Sequence, residues 1–360
     1  AAGQHLHPDE RFITMVVDRI RLPASVDQYF DTAHSKLNPY NNDFGSYPYG
    51  TVPLFFVRWL AELIQNIAKA SPAGPTGLIH DMRAAASYDQ VYLIGRALSG
   101  LADLATIGLV FLMARRLFGR GVALLATFLA AFMVLQIQAA HFFTVESPLV
   151  LFTTATLYFA IRAGETNSLR DWSLLGVFCG LAVSTKISAG LLVVLAPAAA
   201  WLLWYRTTRL GLNARRRRYL IEDLLIGMGV AGVMALVTFR VAEPYAFVGP
   251  GIFNIKLNPK WVADLRQSQA LAAGADYPPS VQWTLTPPWI WQFGQMFYWG
   301  LGPPLTVVSL GGVLFAGWQF FRHTRRCFTH LIPVLWVVLN LLYFGPQFTK
   351  PLRYLLPIYP

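Results

Sequence analysis

A chain of 360 residues that is 55% hydrophobic, 14% aromatic and only 13% charged falls far below the roughly 25% charge of a soluble domain, and reads as an integral membrane protein. Its formal net charge of +11 sits in loops that flank apolar runs, not among exposed aromatics, which excludes nucleic acid as a partner. Cys179 and Cys327 fall in a span and in a cytoplasmic loop, so no disulfide between them is expected.

The chain opens on polar sequence, without a signal-peptide pattern. His5-Leu6-His7-Pro8-Asp9-Glu10-Arg11-Phe12 sets two adjacent carboxylates in what reads as a polar loop. Segments 11–22 and 26–37 read as short helices, and 38–50, dense in Pro, Gly, Asn and Tyr, as loop. Segment 52–68 is apolar but carries Arg58 and Glu62. Since about 20 apolar residues are needed to span, it reads as an interfacial or re-entrant helix.

From residue 91 apolar runs recur at 91–113, 122–140, 148–161, 172–185, 187–205, 220–241, 289–321 and 331–344. The run from Trp289 starts as an interfacial piece and spans only after Pro304. Arg115, Arg116 and Arg120 lie in one connection, Arg162 and Arg170 in another, Arg206, Arg209 and Arg215 to Arg218 in a third, and Arg322, Arg325 and Arg326 in a fourth. These alternate with poorly basic connections, and the positive-inside rule puts them in the cytoplasm. The expected fold is therefore all-α: a polytopic membrane helix bundle over 91–360 with an outer loop at 243–288, and residues 1–90 as an outward-facing loop region containing short juxtamembrane helices. The polar start and the apolar stop at Pro360 lead us to expect truncation at both ends.

Most polar residues that topology leaves unexplained fall on the outward side. Asp9 and Glu10 read either as solvated loop acids or as a carboxylate pair in which one member takes a proton from a hydroxyl. Glu146 sits at the mouth of two spans, where an ionisable group faces a cavity, a partner or the interface. Lys186, Lys350 and Arg353 are cations on the side where positive charge is disfavoured. They suit either a phosphate or diphosphate at the membrane surface or anionic lipid headgroups. His5, His7 and Asp9 alternate, but with no fourth ligand nearby no metal is expected. Asp103 reads as a functional acid or, more simply, as the ion-pair partner of Arg96 within one span, and Trp283, Trp289, Trp291 and Trp299 as an interfacial belt.

Taken in order, the acidic pair, the turn Thr144-Val145-Glu146-Ser147-Pro148, the stretch Leu181-Ala182-Val183-Ser184-Thr185-Lys186-Ile187-Ser188-Ala189-Gly190 and the terminal Arg353-Tyr354-Leu355-Leu356-Pro357-Ile358-Tyr359-Pro360 resemble the bacterial GT-C glycosyltransferases of the protein O-mannosyltransferase and aminoarabinose-transferase type. The resemblance implies an inverting membrane enzyme of the plasma (inner) membrane with its site facing outward. Its donor would be a polyprenyl-phosphate-linked sugar; the acceptor, whether protein, lipid or glycan, stays open. It implies Asp9 as general base with Glu10 orienting the acceptor, Glu146 standing where the family usually has aspartate, and Lys186 and Arg353 neutralising the leaving phosphate. Lys350, His141, Tyr47 and Tyr49 complete the expected substrate contacts; the tyrosine-rich loop reads either as stacking on a sugar ring or covering the site, or as a packed structural loop. No cofactor or metal is expected. The alternative is a catalytically degenerate GT-C-like structural subunit of a larger membrane complex.

Overall fold

The computed structural model describes residues 7–70, 78–208, 214–274, 278–322 and 330–360. His5, Cys327, Arg209, Arg325 and Arg326 lie outside the described residues. The described chain is helical, with one isolated antiparallel bridge between Phe247 and Leu257.

The first helix, α1 (Pro8–Arg19), begins earlier than the sequence suggested. His7 accepts the Asp9 N–H at 3.2 Å as its cap, and Pro8 occupies the first helical position, where no N–H is needed. Asp9 and Glu10 therefore stand in a first helical turn, not in a loop, facing the positive end of the helix dipole. A one-turn α2 (Val26–Tyr29) is all that forms within 26–37. Helix α3 (Val52–Lys69) matches its expected extent. It buries Leu54, Val57, Arg58 and Ala61 and exposes Phe56, Trp59, Leu63 and Ile67, the two faces of an interfacial helix. Arg58 crosses the interior to Glu62 at 2.6 Å and to the carbonyls of Val17 and Ala86, so one guanidinium ties α1 and α3 to the chain entering the bundle.

After the short α4 (Leu78–Arg83), the bundle begins with α5 (Tyr88–Phe118), which ends at Gly119 with φ 90°. Next come α6 (Arg120–Ala131) and α7 (Val134–Ala140), bent by 61° at their junction, then α8 (Glu146–Thr166) and α9 (Leu169–Thr185). A 3-10 segment, Ile187–Val194, continues into α10 (Leu195–Thr208), followed by α11 (Ala214–Ala242). The connection beyond it holds α12 (Pro259–Ala272). The 289–321 run divides into α13 (Ile290–Gln295), a π-turn at Met296–Gly300 and α14 (Pro303–Arg322). The chain closes with α15 (Leu331–Phe344) and a 3-10 turn, Leu352–Ile358. Among the described residues, Tyr88–Phe118, Ile187–Thr208 and Arg217–Ala242 are each long and apolar enough to cross a membrane, and the bent pair α6 and α7 together has the length and composition of a broken span or a re-entrant loop. This is a multi-pass membrane protein.

Helices α8 and α9 form the centre, packed on each other and on α5, α10 and α11. The α9–α11 contact depends on absent side chains. A Cβ on Gly176 would lie 2.2 Å from the Ala231 carbonyl oxygen, and one on Gly180 would lie 2.6 Å from that of Ala235. Small residues four apart let two helix backbones approach, which is how helices associate where water supplies no drive. At one end of the bundle, α1, α3 and the 37–49 loop pack with Val91, Phe143, Val145 and Tyr245 into a separate apolar cluster, a cap on the helix ends.

Arg96 and Asp103 do not pair. Seven helical residues set them about 10 Å apart along the axis, and each finds another partner. Arg96 meets Glu10, and Asp103 accepts Gln136 Nε2 of α7 at 2.6 Å.

Gly176→Ala should cost about 1–3 kcal/mol by overpacking the α9–α11 seam. Gly232→Ala on α11, whose Cβ meets open space, serves as the control. Thermal unfolding in detergent should show a lower midpoint for the first and none for the second; equal midpoints would mean that the seam relaxes freely.

Candidate active site

Four segments far apart in sequence bring charges to one cleft at the capped end of the bundle. Asp9 comes from the first turn of α1 and Glu146 from the first turn of α8. Lys186 caps the C-terminus of α9 with an extended backbone, φ −158° and ψ 123°, and Arg353 comes from the closing 3-10 turn. Arg353 Nη1 lies 2.5 Å from Asp9 Oδ2, and its Nε 3.8 Å from Glu146 Oε1. Lys186 Nζ donates to Glu146 Oε1 at 3.4 Å and lies 4.7 Å from the centre of the Tyr354 ring. The four charges alternate in sign along this chain of contacts and sum to zero.

Glu146 is buried. Burial alone would raise its pKa, but Lys186 and Arg353 outweigh that penalty and hold the carboxyl below its usual value, ionised at neutral pH. Its Oε2 and Arg353 Nε are buried and make no hydrogen bond, so the cleft retains an unspent acceptor and an unspent donor. Lys186 and Arg353, but not Asp9 or Glu146, also line a small adjoining void of about 10 Å³ with Thr153 of α8, Ser188, and Trp336 and Asn340 of α15. Asn340 and Thr153 gave no signal in the sequence, because a lone polar residue in an apolar run reads as tolerated.

Glu10 is fully buried and engaged in another direction. It receives Arg96 Nε at 2.8 Å and Nη2 at 2.7 Å, a two-pronged ion pair, and the Phe143 N–H at 2.8 Å. Arg96 also lies over the Tyr92 ring at 4.7 Å. Glu10 thus anchors α1 to α5 and to the turn before Glu146, with its neighbour Asp9 directed to Arg353. A charge-assisted bidentate pair of this kind fixes orientation as well as distance.

The tyrosine loop is held on both flanks. Asp264 of α12 accepts the Tyr40 hydroxyl at 2.6 Å and the Tyr47 N–H at 2.8 Å. The Gly50 N–H donates to the Thr185 carbonyl at 3.1 Å, one residue before Lys186. Thr51 gives both its N–H (2.9 Å) and its hydroxyl (2.8 Å) to Glu243 Oε2. Tyr47 is buried and packs against Phe12 and Tyr49. Tyr49 reaches the cleft: burial, with the Asp9 carboxylate beside it, raises its hydroxyl above the usual tyrosine pKa and keeps it protonated. Glu243, in the connection after α11, is pushed up to about 8 by burial, against the lowering effect of the two Thr51 hydrogen bonds. Sequence reading passed over both Asp264 and Glu243, whose role as loop anchors depends on contacts some 200 residues away.

The other two candidates point elsewhere. His141 is exposed at the end of α7 and donates from Nδ1 to the Ile137 carbonyl at 2.7 Å. Lys350 donates to Thr286 Oγ1 at 3.1 Å and to the Phe348 carbonyl at 2.9 Å, in a groove that shares no lining residue with the charged cleft. His7 spends Nδ1 on capping α1, and among the described residues no three His, Cys, Asp or Glu side chains group as a metal site.

Comparison with known proteins agrees with this architecture. Residues 90–240 match the family described as dolichyl-phosphate-mannose-protein mannosyltransferase, a stretch that includes Arg96, Glu146 and Lys186 but not Asp9 or Arg353. ArnT from Cupriavidus metallidurans in the apo state superposes with a TM-score of 0.53 at 15% identity, over 99% of this chain and 54% of that one. The same protein bound to undecaprenyl phosphate gives 0.45 at 16% identity, over 97% and 56%. AglB, the archaeal oligosaccharyltransferase from Archaeoglobus fulgidus, in complex with an inhibitory peptide and a dolichol-phosphate, gives 0.49 at 14% identity, over 98% and 45%. The chain spans about half the length of these structures. No functionally curated protein matches it. The resemblance drawn from the sequence motifs holds: this is a membrane protein with the GT-C glycosyltransferase fold.

Two outcomes follow from the loop anchors. A Cβ on Gly50 would sit 2.0 Å from the Ser184 carbonyl oxygen, a backbone atom, so Gly50→Ala should lift the tyrosine loop from α9 and speed proteolysis between residues 38 and 51; an unchanged digestion pattern would show that the loop is held elsewhere. Glu243 binds its proton more tightly folded than unfolded, so between its unfolded value near 4.5 and about 8 the native state holds more protons. Stability from this group is therefore full below the lower value and is lost as pH rises through the upper one. Thermal midpoints should fall from pH 5 to pH 8.5 in the native chain and fall less in Glu243→Gln; parallel slopes would exclude Glu243 as the source.

Proposed function

We propose that the chain carries the reaction centre of a glycosyltransferase that moves a sugar from a polyprenyl-phosphate donor to an acceptor on the outer side of the plasma (inner) membrane. The observation that carries this reading is the convergence of Asp9, Glu146, Lys186 and Arg353 in one cleft. Displacing a lipid phosphate from an anomeric carbon builds positive charge on the sugar and negative charge on the leaving oxygen, so it calls for a base on one side and fixed cations on the other. Lys186 and Arg353 are the cations. Asp9 is the base, taking the proton of the acceptor hydroxyl as that oxygen attacks the face opposite the phosphate, which inverts the centre. Tyr49, neutral beside Asp9, donates toward the substrate, and Glu10 positions Asp9 through its anchor to Arg96. ArnT, whose fold the chain shares, has been solved with undecaprenyl phosphate, which supports a lipid-phosphate donor here.

A second reading, a catalytically silent GT-C subunit of a larger assembly, draws on the fact that Arg353 already pairs with Asp9. Binding and turnover separate the two. The purified chain should bind undecaprenyl phosphate, with Lys186→Ala and Arg353→Ala each weakening binding about tenfold or more, the scale of one lost charge-assisted hydrogen bond. Asp9→Asn should keep that binding and lower transfer from polyprenyl-phosphate sugars by about 10²–10⁴, the usual worth of a general base. Native turnover in Asp9→Asn would remove Asp9 from the mechanism, and lipid binding without turnover in the native chain would select the silent subunit.

A further inference from the structure

Lys350 is only 5% exposed, yet its ammonium meets neutral groups alone: the Thr286 hydroxyl, the Phe348 carbonyl and, at 5.4 Å, the Phe348 ring. No carboxylate pairs with it among the described residues, in contrast to Lys186 and Arg353. Burying a cation without a counter-charge is costly, and this one lines an open groove of about 570 Å³. The groove runs between α12, represented by Gln269, and the end of α15, represented by Tyr343, with Trp283 and Phe348 as aromatic walls.

Its rim is apolar where a soluble surface would be polar. Leu285, on the loop that forms one edge, is 98% exposed, and Val281 and Ile290 on either side of it are also exposed. Tyr343 belongs to the last turn of α15, whose apolar body ends at Phe344. A groove at the end of an apolar helix, edged by exposed aliphatic and aromatic side chains, has the composition suited to the depth where acyl chains give way to headgroups.

We propose that this groove is a second anion site, separate from the charged cleft, that holds the phosphate of an anionic glycerophospholipid on Lys350, with the lipid's chains against Leu285 and Tyr343. A phosphodiester supplies the counter-charge that Lys350 lacks, and Gln269, which lines the same groove, offers an amide to its remaining oxygens. The site needs no turnover, so it stands or falls independently of the proposed transferase reaction.

The test uses the full chain in detergent micelles with phosphatidylglycerol or phosphatidylcholine of matched chains, read by native mass spectrometry. Because the charged cleft also attracts anions, the readout is the change that the groove variants make against the native chain, in which the cleft is intact. Phosphatidylglycerol should be retained at least fivefold over phosphatidylcholine, Lys350→Gln should bring the two level, and Lys350→Arg should restore the preference. Gln269→Glu, which places a negative charge in the groove and leaves the Lys350 hydrogen bonds untouched, should also lower retention and carries the test if Lys350→Gln fails to fold. Equal retention of the two lipids, or a preference that survives both Lys350→Gln and Gln269→Glu, would overturn the proposal. Complete displacement of phosphatidylglycerol by millimolar inorganic phosphate would overturn it in favour of a free-phosphate site.

Discussion

Arg353 reaches both carboxylates of the cleft, and the arrangement of the capped end depends on that double contact. A half-buried guanidinium between two acids is best compensated when both are present, because removing either leaves the cluster with one charge unmatched. Asp9 arrives from the first described helix and Arg353 from the last turn, so the contact joins the two ends of the described chain. Lys186 and Glu146 can pair once α8 and α9 are packed, but the contacts of Arg353 with both acids need α1, α8 and the closing turn docked together.

The charges are also placed where the backbone favours them. Asp9 and Glu146 both occupy the first turn of a helix, and Lys186 follows the last turn of one. The helix dipole favours anions at the first kind of end and cations at the second. Three of the four cleft charges thus sit at helix ends that support them, and the fourth bridges the acids. Glu10 completes the design by doing no work in the cleft itself: held by Arg96 and the Phe143 N–H, it sets the rotation of α1 and thereby the direction of Asp9.

The sequence disclosed the bundle because span length and basic loops report directly on the membrane, and it disclosed the cleft charges because each is anomalous where it stands. Lys186 is a cation on the wrong side, and Glu146 an acid at the mouth of a span. It disclosed less about direction. Pro8 preceded by a capping residue and followed by two acids is a helix-start signal, yet the polar context of 1–10 masked it. Arg96 was matched to the acid on its own helix, since the Glu10 that holds it is 86 residues away in sequence. Lys350 and Arg353 look equivalent three residues apart, but Lys350 precedes the closing 3-10 turn and lines a neutral groove, whereas Arg353 lies within that turn and reaches the acids. Periodicity reports which face of an element is buried, and only tertiary contact reports against what.

On the proposed reaction, the ion pair between Arg353 and Asp9 also imposes an order. One guanidinium cannot give the same donors to a carboxylate and to a phosphate. A lipid phosphate entering beside Lys186 competes for Arg353, and as it takes those donors it frees the Asp9 carboxylate to receive a proton. Glu146 is held ionised by the same two cations. If Asp9 is the base, it would then be available only when the donor is in place, and an acceptor hydroxyl meeting the cleft without donor would find Asp9 paired with Arg353. The contact that assembles the cleft would thus also hold the base in reserve until the donor arrives.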